Sequence, residues 1–430
     1  MPHDLDRQAE QPPLFDLPPQ PPAPASPGLE LARWGLRQMQ AKWAPAGPDP
    51  DHTPLETALR RAAIRSDRSR RIAVGEIRIN YMRTLPVWGI ETDGFVYPED
   101  TELERMRRTL GIIQRVEPGP HEDGVLFERL ARQAATIEMS LADRDSDGEH
   151  AFRRVLIGTV GRPTARANSQ KWNDHAIVTI SSGFAYLVRR CAEAVSRLAA
   201  PAASSLTGMM FEQSSNVDEL QARIAADPEL VDPVGRPLIS WLYQGSLAPP
   251  APTPYAEDFS SSIVEDYAYR FVLAHEYAHV LIDELALPGW ADAAQHDPEG
   301  KEINADAVAL QVVLYRATPI DRVAMNIAAV GPMVAIKARE IVERAISVAQ
   351  TGNDAPEDET APGKLFEDRR RCIADVYRSL IAPDSDATHL AFEPADFAET
   401  VLEAVYQRVA AEARSRHQNG ERLHETWLTN

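Results

Sequence analysis

Cysteine is nearly absent from this sequence. Only Cys191 and Cys372 occur among 430 residues, and they lie far apart. Two distant thiols provide neither a disulfide framework nor a Cys-x-x-Cys metal site. The cysteine usage therefore fits a reducing compartment best.

Long apolar runs are absent as well. No window approaches the roughly 18 to 20 uninterrupted apolar residues that a membrane helix needs, and the segment VAMNIAAVGPMVAI at 323–336 is too short. The first residues, MPHDLDRQAEQPPLFDLPPQ, show no basic region leading into an apolar run, so we predict no secretory signal. We expect a cytoplasmic protein without a membrane partner.

Basic residues are fewer than acidic residues. The chain has 45 Lys and Arg against 64 Asp and Glu, which gives a formal net charge of -19. This balance disfavours non-specific binding to nucleic acid or to an anionic membrane. The basic run RRAAIRSDRSRR at 60–71 lacks interleaved aromatic residues, so it indicates a solvated helix face. Proteins are the favoured partners.

The composition that remains is that of a globular protein. Hydrophobic residues make up 44% of the chain and charged residues 25%, enough for one large or two moderate domains. We divide the sequence into a disordered Pro-rich tail (1–28), an N-terminal α/β region (29–122), a main domain (123–350) with an irregular insertion at about 201–258, a linker (351–363) and a C-terminal helical region (364–430).

Hydrophobic periodicity predicts an α+β fold that is mostly helical, with a small mixed sheet packed on a central helix. The predicted strands are 75–82, 94–98, 153–160 and 175–181. The predicted helices are 29–44, 53–71, 123–143, 184–200, 261–286, 299–317, 321–350, 364–381 and 395–416. Gly331 and Pro332 predict a kink or break within the helix at 321–350.

The stretch HEYAH, residues 275–279, carries the strongest functional signal. On an α-helix, side chains four residues apart project from one face, so His275 and His279 can offer two imidazole nitrogens to one metal ion. Glu276 lies one step round the helix, beside that ion, where it can serve as a catalytic carboxylate. A catalytic zinc site needs a third protein ligand and an open fourth position for water.

That third ligand is available on the next predicted helix, in the segment KEINADAVA. Glu302 and Asp306 are four residues apart, so Glu302 can bind the metal while Asp306 accepts a hydrogen bond from the free N–H of a ligand histidine. His296, in the loop AAQHDPEG, is a rival third ligand, although a histidine in a surface loop is the commoner case. We predict one Zn²⁺ ion held by His275, His279 and Glu302.

HEYAH followed by EINAD resembles the gluzincin metallopeptidases, whose pattern is HExxH and then a ligand glutamate on a following helix. The sequence is most similar to the HtpX-like and ImmA/IrrE-like members over about 150–350. The resemblance implies a zincin-like fold and a zinc endopeptidase acting on a protein or peptide, with Glu276 as the general base. The segment NDHAIVTISSGFAYLV at 173–188 resembles the strand and helix before the HExxH helix of HtpX-like proteins, in which a peptide substrate lies along that strand.

Some features separate the chain from individual subfamilies. The metzincin pattern requires Gly and His where this sequence has Ile282 and Leu285, so that subclass is excluded. HtpX-like proteins carry membrane helices, and ImmA/IrrE-like proteins are usually shorter than this chain. The resemblance therefore leaves the subfamily open.

Two alternatives belong to other functional classes. A non-catalytic zinc-binding regulator or scaffold would use the same ligands to sense metal or to stabilise the fold. An adaptor is suggested by Gln11, Leu14 and Phe15 in QPPLFDL, which resemble the short peptide by which bacterial proteins bind the replication sliding clamp. An ordinary proline-rich tail explains the same residues.

A peptidase also needs a donor that stabilises the oxyanion of the tetrahedral intermediate. The sequence offers several candidates without distinguishing among them. They are Tyr315, Arg369, His175 and His389.

Overall fold

The structure is a computed structural model, and it describes part of the chain. The described residues are 27–43, 124–142, 155–162, 164–172, 175–199, 217–245, 255–285, 298–315, 322–353, 361–381 and 387–427. The predicted strands at 75–82 and 94–98, the predicted helix at 53–71 and the tail up to residue 26 lie outside these ranges. No helix within them is long and apolar enough to cross a membrane.

The described residues are mostly helical. The helices are α1 (Pro27–Trp43), α2 (Gly124–Ala142), α3 (Ser182–Ala199), α4 (Val217–Ala226), α5 (Asp232–Gln244), α6 (Tyr255–Leu285), α7 (Pro298–Tyr315), α8 (Arg322–Thr351), α9 (Ala361–Ile381) and α10 (Ala387–Gln418). Short 3₁₀ helices occupy Pro228–Val231 and Glu425–Trp427. Each helix predicted within the described ranges is confirmed, although α6 and α10 begin several residues before the predicted positions.

One small mixed sheet accompanies the helices. Its strands are β1 (Val155–Val160), β2 (Ala167–Trp172) and β3 (His175–Ser181), in the order β1-β3-β2. β1 runs parallel to β3, and β2 runs antiparallel to it, with Ala167 opposite Ile180. Every residue of β3 is buried because the strand has a neighbour on each side and helices on its faces. The α+β prediction of a small mixed sheet is confirmed.

The central element is α6, the helix that carries HEYAH. It contacts α2, α3, α7 and α8, and it also contacts strands β2 and β3. Tyr277, on the side of α6 away from the two histidines, donates a hydrogen bond of 2.8 Å to Glu138 on α2. Tyr269, six residues before His275, donates to the backbone carbonyl of Ala185 on α3 at 3.1 Å. These contacts fix the rotation of α6 and therefore the direction in which its histidines point.

The segment predicted as an irregular insertion, 201–258, requires a correction. Residues 217–244 form α4, a 3₁₀ turn and α5, and side chains such as Val234, Leu238 and Trp241 are buried in the main hydrophobic core. α5 has one proline in its first turn and a second, Pro237, inside the helix, and it ends before Gly245, whose φ is 69°. The proline-rich run SLAPPAPTP at 246–254, which suggested irregular structure, lies outside the described residues. Residues 217–244 therefore contribute to the main hydrophobic core.

Helix α8 continues through Gly331 and Pro332, so the predicted kink or break at these residues is not a break. A proline inside a helix removes one backbone hydrogen bond. Residues 328–338 are all buried, and packing of this kind keeps the helix intact despite that loss. Gly331 has a distinct role at the crossing with α6, where a Cβ atom would lie 2.5 Å from the Cβ of Tyr267 and 2.8 Å from the backbone nitrogen of Ala268.

We predict that Gly331→Ala lowers the free energy of unfolding by about 1–3 kcal/mol, because the added methyl group meets the backbone of α6 and forces two packed helices apart. Gly235→Ala is the matched control, since there the closest contact of the new methyl group is the flexible side chain of Arg408, at 3.2 Å, and no backbone atom is among its nearest contacts. Chemical denaturation of both variants measures the difference. Equal stability of the two would contradict the close helix crossing.

Candidate metal centre and adjoining cleft

Two helices, α6 and α7, bring the predicted ligands together. Ala278 on α6 and Ala305 on α7 form one small buried cluster, and neither has exposed surface. Small side chains at a helix contact allow a short distance between the helix axes. The alanines within HEYAH and EINAD therefore allow the close approach that the ligands on both sides require.

The three predicted ligands converge on one point. The Nε2 atoms of His275 and His279 lie 3.0 Å apart, and each lies 3.3 Å from an oxygen of Glu302. One ligand atom from each residue falls within 4.8 Å of the others. His275 is buried, whereas the Glu302 side chain is 30% exposed. This group can hold a metal ion, and its open side faces away from the core.

Asp306 holds one of the two imidazoles in position. Its Oδ1 lies 2.8 Å from Nδ1 of His275, so the Nε2 of that ring is turned toward His279 and Glu302. The residue has no exposed surface at all. By contrast, Nδ1 of His279 is buried and makes no hydrogen bond within the part of the chain that the structure describes. The site thus fixes one imidazole more firmly than the other.

Arg369 completes the arrangement from a third helix, α9. Its Nε and Nη2 atoms lie 2.6 Å and 2.9 Å from the two carboxylate oxygens of Asp306, which is a bidentate pair. Nη1 also lies 3.9 Å from Glu302. The sequence suggested Arg369 only as one of several oxyanion donors. Within the run of three arginines at 369–371, no local pattern marks which of them reaches the site.

The charged groups of the candidate metal centre shift one another's pKa values. Burial raises the pKa of Asp306, but the charges of Arg369 and His275 outweigh burial and leave that pKa below its usual value. Burial also tends to raise the pKa of Glu302, but hydrogen bonds from both histidines outweigh burial and leave that pKa below its usual value. Burial lowers the pKa of His275, yet Asp306 overcomes it and raises that pKa to about 9. Because only a neutral imidazole binds a metal, an ion at this site displaces the proton.

Glu276 lies next to the ligands in a cleft of about 720 Å³. Its exposed fraction is 7%, so its carboxylate is largely shielded from bulk water. The cleft is bounded by α6 on one side and by strand β2 on the other, with Asn168 and Gln170 contributed by the strand. Glu276 therefore faces a space large enough for part of a peptide, and of the three candidate ligands His275 lines that space.

The strand beside the cleft differs from the one that the sequence suggested. Residues 175–181 were expected to form the sheet edge that binds substrate, but β3 lies in the centre and is paired on both sides. The cleft is instead lined by β2, which pairs only with β3 among the described residues. The sequence ANSQKW of β2 has little of the β-branched or aromatic content typical of strands, and for this reason it was missed.

Several sequence candidates do not join the centre in the described structure. His296 and the residues Gln11, Leu14 and Phe15 lie outside the described ranges. His175 begins β3 and is not among the described residues that line the cleft. The side chains of Tyr315 and His389 also lie outside the described part.

Comparisons of the chain with protein-family models, with curated proteins and with solved structures found no match. No family is assigned on that basis. The chemistry of the centre is therefore argued from its own atoms.

We predict that Asp306→Asn weakens metal binding about 10- to 100-fold, because the amide does not hold the His275 ring as the carboxylate does. The variant also leaves Arg369 buried without its main counter-ion, which lowers the free energy of unfolding by about 3–5 kcal/mol. Competition with a chelator measures the first effect and chemical denaturation the second.

Asp368→Asn is the control for this variant, since Asp368 pairs with the exposed Arg371 at 3.1 Å. A surface pair of this kind contributes about 0–1 kcal/mol. Metal binding by Asp306→Asn that matches the control would show that Asp306 does not orient a ligand.

Proposed function

We propose that this protein is a zinc-dependent endopeptidase of gluzincin type with a zincin-like fold. The observation that carries the proposal is the convergence of His275, His279 and Glu302 from two helices beside a cleft that contains Glu276. The small sheet beside the HEYAH helix agrees with the fold that the sequence resemblance implies. Asp306 adds support, because a carboxylate that holds a ligand histidine is a usual part of such a centre.

Zinc is the ion that the donor set favours. Two nitrogens and one carboxylate oxygen suit zinc better than calcium or magnesium, which prefer oxygen ligands throughout. Two ligands at zinc–nitrogen distances on a tetrahedral ion lie about 3.3 Å apart. Nε2 of His279 lies 3.0 Å from Nε2 of His275 and 3.3 Å from Oε1 of Glu302, and Nε2 of His275 lies 3.3 Å from Oε2 of the same carboxylate, so these separations are close to that value.

The reaction follows from the positions of the side chains. A bound zinc ion supplies a Lewis acid for the scissile carbonyl and lowers the pKa of a water molecule. Glu276 accepts a proton from the attacking water at a carboxylate oxygen and passes it to the nitrogen of the leaving amine. The low exposure of Glu276 strengthens its electrostatic interactions with the reacting atoms. Asp306 acts through His275, which it keeps in the orientation that binding requires.

The proposed substrate path follows the edge of β2 that has no strand neighbour among the described residues. An extended peptide can add its backbone hydrogen bonds to an unpaired strand edge, which requires no particular side-chain sequence. In the described residues β2 has one strand neighbour and borders the cleft that contains Glu276. A peptide bound there would place one of its carbonyl groups close to the metal ligands.

We predict that the purified chain contains about one zinc ion per molecule. His279→Ala should lose the zinc because only two ligands remain, whereas Glu276→Gln should retain it. His417→Ala is the control, since that histidine bonds the backbone of Ala349 away from the centre. Elemental mass spectrometry measures the zinc. A zinc-free protein whose thermal unfolding does not change on chelation would contradict the proposal.

We also predict that Glu276→Gln lowers peptide hydrolysis about 100-fold or more, because the general base is lost while the ligands remain. Wild type and variant are expressed side by side, and new protein termini are sought by proteomics. Glu367→Gln, an exposed change on α9, should leave the termini produced by wild type unchanged. No termini specific to wild type, together with retained zinc, would favour the non-catalytic regulator instead.

A further inference from the structure

We propose that Arg162 and Arg166 form a carboxylate-binding subsite of the cleft, which selects peptides carrying an acidic group close to the scissile bond. This inference rests on the proposed peptidase function and specifies its substrate class. Both arginines line the cleft that contains His275 and Glu276. They lie on the connection between β1 and β2, at the end of the sheet where β3 leads into α3.

The connection that carries the two arginines is held rigidly by its backbone. The carbonyl oxygen of Arg162 accepts hydrogen bonds from the backbone nitrogen of Gly183, at 3.1 Å, and from the hydroxyl of Ser182, at 3.0 Å. The hydroxyl of Ser181 accepts from the backbone nitrogen of Arg166 at 2.9 Å and donates to the carbonyl of Thr164 at 2.6 Å. With the backbone already fixed, ligand binding costs little backbone entropy, and the entropic cost falls on the arginine side chains.

The charges lining the cleft favour an anion at this end. Arg369 is neutralised by Asp306, and Arg339 is paired with Glu343 at 2.8 Å. Arg166 is exposed and has no ion-pair partner in the described part of the chain. Burial and the nearby charge of Arg166 together lower the pKa of Arg162, so the two guanidinium groups repel each other. A carboxylate bound between them removes that repulsion.

Strand β2 connects this subsite to the proposed substrate path. Residues two apart on a strand project to the same side, so Arg166, Asn168 and Gln170 share one face. All three are exposed and all three line the cleft. An extended peptide along β2 would therefore meet the neutral side-chain amides of Asn168 and Gln170. Just before the first residue of the strand it would meet the guanidinium group of Arg166.

A carboxylate is the ligand that this geometry fits, and a peptide can supply it in two ways. An endopeptidase that cleaves beside acidic residues would bind an Asp or Glu side chain at this subsite. An enzyme that cleaves close to the carboxyl end of its substrate would instead bind the terminal carboxylate of the peptide. Peptides with free and amidated carboxyl ends distinguish these two sources.

The test uses the zinc-loaded full chain and a library of quenched fluorescent peptides in which one residue is acidic, neutral or basic. We expect wild type to prefer acidic peptides and Arg166→Gln to lose about tenfold in kcat/KM on them. Neutral peptides should change little. Arg166→Glu should reverse the preference toward peptides with Lys or Arg at the same position.

Arg422→Gln is the matched control, because it removes an exposed arginine that does not line the cleft. It should behave as wild type on every peptide. Cleavage by wild type without any acidic preference would overturn this inference and leave the peptidase proposal standing. An acidic preference that Arg166→Gln and Arg166→Glu leave unchanged would also overturn it.

A binding measurement separates the two proposals. Glu276→Gln retains the ligand set, so fluorescence anisotropy can follow its binding of the same labelled peptides without turnover. Tighter binding of acidic peptides that falls about tenfold with Arg166→Gln supports the subsite even if no peptide is cleaved. In that outcome the hydrolytic function fails and the carboxylate site stands. Equal binding of acidic and neutral peptides would overturn the subsite.

Discussion

The structure depends on one buried carboxylate, Asp306. A charge without exposed surface is stable in a protein only when opposite charges and hydrogen bonds compensate the loss of water. Arg369 and His275 supply both, from α9 and α6, while Asp306 itself lies on α7. Since the three helices must meet with the correct rotation for these bonds to form, the same bonds align the ligands on α6 and α7. The same contacts therefore determine both the packing of the three helices and the geometry of the site.

This constraint explains why the C-terminal helices belong with the rest of the fold. The sequence separates residues 364–430 from the main domain by a linker, yet Arg369 reaches the centre from α9, and α10 packs along α8. One cluster of buried side chains runs from Leu126 on α2 to Trp427 near the end of the described chain. A cut at the linker would therefore remove both a counter-ion of the centre and a large part of the core.

The sequence predicts most of the described helices and the group of candidate ligands because both follow from local spacing. HEYAH and EINAD place three donors on two helix faces, and amphipathic periods mark nearly every described helix. What it does not predict depends on partners distant in sequence. Strand β2 forms because β3 offers it a partner, although ANSQKW has weak strand propensity. Arg369 lies 63 residues after Asp306, and only the fold distinguishes it from the two arginines beside it.

The net charge of the chain and the charges lining its cleft act on a peptide at different distances. A net charge of -19 repels acidic peptides, but salt screens exposed charges beyond about 8 Å at physiological ionic strength. A peptide within the cleft interacts mainly with the side chains that line it, where Arg166 has no ion-pair partner among the described residues. For the proposed peptide substrates, the acidic surface would therefore lower the rate of encounter with acidic peptides, and the arginines would determine which peptide remains bound. Added salt should raise the encounter rate of acidic peptides because it screens the long-range repulsion. Since Arg166 is exposed, salt should also weaken its contact with a carboxylate and so reduce the preference for acidic peptides without reversing it.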